Sequence, residues 1–143
     1  MILISHRGNM NGKRPDFENT PCYINRALDA GYDCEIDVWN IDQSWWLGHD
    51  EPEYHVHSSF LMKKGLWIHA KNVDALEKLV ATKLNFFWHQ KDDYTITSHN
   101  YIWAYPQMPA EGRAICVLPK HDHEAEGFAG ICSDQIAEFE HGC

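Results

Sequence analysis

Four short stretches of this chain carry side chains that hold cations and move protons near neutral pH: His6-Arg7, Glu35-x-Asp37, His49-Asp50 and Trp67-x-His69-x-Lys71. If Asp33 to Trp39 is extended, as its Cys, Ile, Val and Trp content suggests, positions two apart share a face. Glu35 and Asp37 then point one way, Ile36 and Val38 the other. An acid-lined face backed by an apolar one suits a barrel or open α/β sheet, covered by helices outside and holding its chemistry at the strand C-termini. His49 follows twelve residues after Asp37. The same alternation puts Trp67, His69 and Lys71 on one face of a later strand, and His89 closes the strand after that. His55-x-His57 has metal-binding spacing on a strand, but no third ligand is near in sequence and both read as loop residues.

The elements that must position these residues are legible in outline. Ile2 to Ser5 is a short apolar strand that stops at His6-Arg7-Gly8. Asn19 or Thr20 caps a helix with Pro21 in its first turn and Ile24, Ala27 and Leu28 on its apolar stripe, and Gly31 ends it. Asn72 caps a second helix, with Val73, Leu76, Leu79 and Val80 expected on the buried side. About eight strand-like runs are recognisable, several ending in His, Lys, Asp or Glu. That layout predicts one α/β domain over residues 1–143: a compact (β/α)8 TIM-type barrel. Such barrels usually need at least ~200 residues, so several connecting helices must be missing or reduced, and a partly open barrel is the alternative. Most of the six tryptophans are expected in the core, with Trp39 and His89, at strand ends, as pocket candidates.

Composition excludes some functions. A formal net charge of -9 without a basic run argues against nucleic acid and anionic membranes as partners, yet allows a small phosphorylated substrate. No apolar run is long enough to insert in a membrane, and Met1 leads straight into a strand-like segment, so a cytoplasmic protein is expected. The five cysteines, Cys22, Cys34, Cys116, Cys132 and Cys143, are odd in number and never spaced as CxxC, which predicts reduced thiols rather than a disulfide framework. An open barrel this rich in aromatics would be covered by homodimerisation.

Taken in order, His6-Arg7-Gly8, Glu18-Asn19-Thr20, Glu35-x-Asp37 and His49-Asp50 resemble the glycerophosphodiester phosphodiesterase family, of the barrel superfamily that also holds the phosphatidylinositol-specific phospholipases C. Trp67 to Lys71 and Gly130 to Asp134 resemble its third-strand and last-strand motifs more loosely. The resemblance implies a metal-dependent phosphodiesterase acting on a small glycerol- or sugar-linked diester. His6 and His49 would be the acid–base pair, Glu35 and Asp37 the ligands of Mg2+ or Ca2+, and Arg7 and Lys71 the phosphate-binding cations. A cation held by carboxylates offsets phosphate charge as the transition state forms, and two imidazoles can exchange protons with the attacking and leaving oxygens. The chain departs from the family at His69, which stands where a third metal-binding glutamate is usual; it either joins the metal, favouring a softer ion, or plays a structural part. Two other readings stay open: a lyase or phosphotransferase that forms a cyclic phosphate, and a non-catalytic module that binds a phosphate ligand.

Overall fold

The structure is a computed structural model and describes residues 1–141; Cys143 and the end of the tail lie outside the described residues. Ten strands form one sheet. In chain order they are β1 (Ile2–His6), β2 (Asp33–Ile41), β3 (Ser44–Leu47), β4 (Tyr54–Val56), β5 (Leu66–Ala70), β6 (Phe86–Phe87), β7 (Tyr94–Ile96), β8 (Ile102–Ala104), β9 (Gly112–Val117) and β10 (Phe128–Ser133). β8, β9, β10, β1, β2, β5 and β6 are neighbours in that order and all run parallel. β3 and β4 extend β2 as an antiparallel hairpin, and β7 folds back on β8.

The sheet curls but does not become the expected (β/α)8 TIM-type barrel: it is a half-barrel, and only two α-helices flank it among the described residues, α1 (Pro21–Asp29) and α2 (Val73–Leu79). The connectors explain the difference. A hairpin and a 3-10 turn, not a helix, link β2 to β5, and the link from β9 to β10 holds one 3-10 turn over Asp122–Ala125. Between β8 and β9, Pro106 and Pro109 leave no run of backbone donors long enough for a helix. β6 meets the β7–β8 hairpin without a ladder: the Ser98 N–H donates to the Phe86 carbonyl (2.8 Å) and the Phe86 N–H to Ser98 Oγ (2.9 Å).

Alternation along the strands sorts the core into two faces. Cys34, Ile36 and Val38 of β2 and Leu66, Ile68 and Ala70 of β5 face outward and pack with Ile24, Ala75 and Leu79 of the helices. On the concave face Ile4, Trp67, Phe87, Trp103, Ile115, Val117 and Cys132 form an apolar floor. The polar residues of β1, β2 and β5 share the parity of that floor and follow it toward the strand C-termini, so the acids face inward as the spacing predicts. α2 is shorter than expected, and it leaves Val73 and Val80 exposed (56% and 63%), with Ala75 and Leu79 as its buried residues. No helix among the described residues is long and apolar enough to cross a membrane.

Candidate metal centre and active site

Parallel register assembles the site. His6 pairs with Glu35 across β1 and β2, and Asp37 with His69 across β2 and β5, so three adjacent strands present four chemically active side chains on one face. Glu35, Asp37 and His69 each offer a ligand atom, all within 4.8 Å of one another. His69 Nδ1 lies 3.1 Å from Asp37 Oδ1 and 3.8 Å from Glu35 Oε1. Both carboxylates are buried, at 3% and 0% exposure.

Their surroundings hold one oxygen and leave another free. Asn19 grips Asp37 twice, its Nδ2 donating to Oδ2 (2.9 Å) and its Oδ1 accepting from the Asp37 N–H (3.0 Å). Arg7 Nε adds an ion pair to the same Oδ2 at 3.2 Å. Asp37 Oδ1 and Glu35 Oε2, by contrast, have no hydrogen-bond partner although both are buried. A buried, unpartnered carboxylate oxygen is costly unless a cation faces it. Burial and the neighbouring Asp37 push the Glu35 carboxyl above the ordinary range. Burial would raise Asp37 too, but His69 when protonated, with Arg7 and Asn19, holds it well below. Four carboxylates meet here, Glu18, Glu35, Asp37 and Asp134, against two permanent cations, Arg7 and Lys71, so the cluster has room for a divalent positive charge. These residues therefore fit a divalent cation.

His6 is oriented from behind. Its Nδ1 bonds to Asp134 Oδ1 (2.7 Å), which also accepts from Asn9 Nδ2 (2.9 Å), leaving Nε2 turned toward Glu35 Oε2 at 3.8 Å. Burial disfavours the His6 cation, but the Asp134 hydrogen bond and the Glu35 carboxylate outweigh it and raise the pKa above the ordinary value. Just beyond, Arg7 adopts a left-handed backbone (φ 58), a conformation that costs most side chains about 1–2 kcal/mol. Its N–H to the Glu35 carbonyl (2.9 Å) and its carbonyl's acceptance of the Asn19 N–H (3.0 Å) hold it there. Gly8 follows at φ +94, where a Cβ would stand 2.5 Å from Tyr23 Cδ2. The Arg7 guanidinium also reaches Glu18 (3.3 Å), and Lys71 Nζ lies 4.0 Å from Asp37 Oδ1.

His49 sits on the turn after β3, and β2 pins that turn. The Gly48 N–H donates to the Asp37 carbonyl (3.1 Å), and Trp39 Nε1 donates to the Gly48 carbonyl (2.7 Å). A Cβ on Gly48 would fall 2.0 Å from the Glu51 carbonyl oxygen. His49 itself is 42% exposed and bonds through Nδ1 to Asp50 (2.7 Å). Both candidate proton carriers thus have an aspartate on Nδ1 and Nε2 free.

A cavity of about 350 Å³ opens beside the centre, within the size range of small-molecule sites. Arg7, His49, His69 and Lys71 form its polar half; Trp88, His89, Trp103 and Tyr105 form an aromatic half. His6 and Trp39 are not on its wall, so the pocket expectation for Trp39 becomes a role in anchoring the His49 turn. His89 is on the wall: both ring nitrogens lack partners, and burial, with His69 nearby, lowers its pKa. Its backbone carbonyl accepts from His69 Nε2 (2.9 Å). Of the remaining sequence candidates, His57 caps the 3-10 turn over Ser58–Met62 and His55 packs on Trp46.

Sequence reasoning gave no role to Asn19 beyond capping, nor to Glu18, Asn9 or Asp134. Thr20 alone caps α1, accepting from the Tyr23 N–H. The available signal was position: Glu18-Asn19 precedes a helix start that Thr20 already caps, and Ser133-Asp134 closes the last strand as His6 closes the first. Comparison of the chain with protein-family models, with curated proteins and with solved structures finds no match in any of the three.

Proposed function

We propose that the chain is a metal-dependent phosphodiesterase acting on a small, soluble diester. The observation that carries this reading is the convergence of Glu35, Asp37 and His69, with two carboxylate oxygens buried and unpartnered, behind a cavity whose wall carries His69, Arg7 and Lys71. A divalent cation bound there would offset charge on the phosphate as the transition state forms. Arg7 and Lys71 supply further positive charge from the cavity wall, Arg7 through a planar fork and Lys71 as a point charge. His49, at the solvent-open side, is suited to take the proton of an attacking water. His6, deeper and supported by Asp134, is suited to donate one to the leaving oxygen. The resemblance of His6-Arg7, Glu35-x-Asp37 and His49-Asp50 to the glycerophosphodiester phosphodiesterases supports the same chemistry. Buried Cys34 and Cys132 thiols agree with the reducing cytoplasm in which we place the protein.

The test is hydrolysis of bis(p-nitrophenyl) phosphate and a panel of glycerophosphodiesters, with metal added or chelated. Turnover is expected only with metal, falling at least ~100-fold in His6→Ala, as loss of a proton-transfer group does. Glu35→Ala should remove it by weakening metal binding. A folded, metal-loaded wild type inert on the whole panel would refute the proposal.

A further inference from the structure

Charge alone would let the Glu35–Asp37–His69 cluster take any divalent cation; hydrogen bonding around His69 narrows the choice. Its Nε2 lies 2.9 Å from the His89 backbone carbonyl, which can only accept, so Nε2 carries the hydrogen. In the neutral ring the lone pair is then on Nδ1, the nitrogen that faces Asp37 Oδ1 and Glu35 Oε1. Stacking on Phe87, with centroids 5.0 Å apart and planes 15° apart, fixes the ring orientation. Three acceptors converge with no hydrogen bond among them and only the Lys71 ammonium near, 4.0 Å from Asp37 Oδ1, and a cation standing between them would relieve their repulsion. A proton on Nδ1 is a poor solution, because the 3.1 Å contact to Asp37 Oδ1 is not aligned as a hydrogen bond and leaves that oxygen unpartnered. A metal does not need to lie on the N···O line. With bonds of about 2.0–2.2 Å, its adjacent ligand atoms stand roughly 3.0–3.4 Å apart; the Asp37 Oδ1–His69 Nδ1 pair, at 3.1 Å, already has that spacing, and Glu35 Oε1, at 3.8 Å from Nδ1, would draw in on binding.

We infer that this centre selects a first-row transition ion of the Mn2+, Co2+ or Zn2+ class over Mg2+ and Ca2+. His69 Nδ1 is the selecting ligand, and the His89 carbonyl is the group that fixes it in place. The inference rests on the metal centre of the proposed function but not on its phosphodiester chemistry. Imidazole donors suit these ions, whereas Mg2+ and Ca2+ prefer oxygen. Asn19 and Arg7 occupy Asp37 Oδ2, so Asp37 offers a single oxygen. Two carboxylates and one imidazole form a three-ligand set with open positions, from which Ca2+ would have to draw most of its six to eight oxygens from water. An N–H donated to a backbone carbonyl is also the usual outer support of a metal-bound imidazole.

The experiment uses metal alone, with no substrate. Co2+ is titrated into the metal-free wild-type chain by visible absorbance, and Mg2+, Ca2+, Mn2+ and Zn2+ are measured in competition. The expected result is Co2+ and Zn2+ binding at least ~100-fold tighter than Mg2+, with Co2+ bands that disappear in His69→Gln and a preference that moves toward Mg2+ in His69→Glu. In case these variants fold poorly, imidazole 15N NMR of the wild type gives a second reading: on Zn2+ addition the Nδ1 resonance of His69 should shift while Nε2 stays protonated. Equal affinity for Mg2+ and Co2+, ligation through Nε2, or no metal bound at all would overturn the inference. A protein that binds Co2+ through His69 yet hydrolyses no diester would instead refute the proposed function and leave the metal preference standing.

Discussion

Replacing Asn19 by glycine should cost roughly 3–5 kcal/mol of folding stability. Asn19 makes two hydrogen bonds to buried Asp37, one to the carboxylate (2.9 Å) and one from the backbone N–H (3.0 Å). A bond to an ionised partner contributes about 1.5–3 kcal/mol, and a buried N–H left without an acceptor costs about 1–3 kcal/mol. Glycine keeps the left-handed backbone without strain (φ 63 at Asn19), so the change removes the amide and adds less than about 1 kcal/mol of chain entropy. Against the ~5–15 kcal/mol of a typical domain the variant should still fold, so urea denaturation at pH 7 with metal chelated can read the difference. Alanine has an opposite signature from its usual one: with φ positive, Asn19→Ala should be about 1–2 kcal/mol less stable than Asn19→Gly. Metal affinity should fall about 10-fold or more in both, because Asp37 loses the group that orients it. A loss below 1 kcal/mol in Asn19→Gly, or alanine more stable than glycine, would refute the assignment.

Three further outcomes are expected. Raised in the fold, the His6 pKa gives stability that is present below about 6.5 and fades as pH rises through the higher folded value; the lowered Asp134 pKa gives stability present above about 3.9 and lost as pH falls. Asp134→Asn should therefore be most destabilising between about pH 4 and 6.5 and less so at pH 9, which denaturant midpoints at three pH values would check. Gly48→Ala forces a Cβ into the Glu51 carbonyl, so the turn bearing His49 must move; turnover should fall at least ~10-fold while metal affinity measured by calorimetry stays within about 3-fold of wild type. Burial pushes the Cys116 thiol up to about 11, the Cys34 thiol higher still and the Cys132 thiol well above its ordinary value, while Cys22 is exposed. Iodoacetamide at pH 8 should thus modify Cys22 and spare those three in the folded chain, as peptide mass spectrometry would show.

The parts of this site that lie within one strand were readable from the sequence. Alternation placed Glu35 and Asp37 on one face and His69 with Lys71 on another strand's equivalent face, because side-chain direction in a strand depends on parity alone. Contacts between distant segments were not readable. Nothing local to Asn19 says that it bonds a residue 18 positions away, and its cap-like context favoured the ordinary reading that Thr20 alone fulfils. Asp134 supports His6 across 128 positions, and only the parallel pairing of β10 with β1 makes that possible. The barrel expectation failed for a related reason: polar strand ends show where chemistry lies but not what connects the strands. Pro106, Pro109 and the β3–β4 hairpin replaced helices that the strand count had implied. Residue type alone leaves His69 open between ligand and structural support, because the deciding group, the His89 carbonyl, is a backbone atom that no residue-type pattern reports.

The seam between β6 and the β7–β8 hairpin separates what must be rigid from what can adapt. Glu35, Asp37, His69, His6 and Asp134 all derive from the unbroken run β10, β1, β2 and β5, where every neighbour is tied by a continuous ladder. Trp88, His89 and Tyr105 come from the flanks of the seam, where Ser98 and Phe86 supply the closing bonds. Local opening there would widen or reshape the aromatic wall while Glu35 and Asp37 keep their spacing, and of the three cation ligands His69, which leans on the His89 carbonyl, would feel it. Changes to the aromatic wall can therefore accumulate along one edge of the sheet while Glu35 and Asp37 stay fixed, provided the His89 backbone keeps its place against His69.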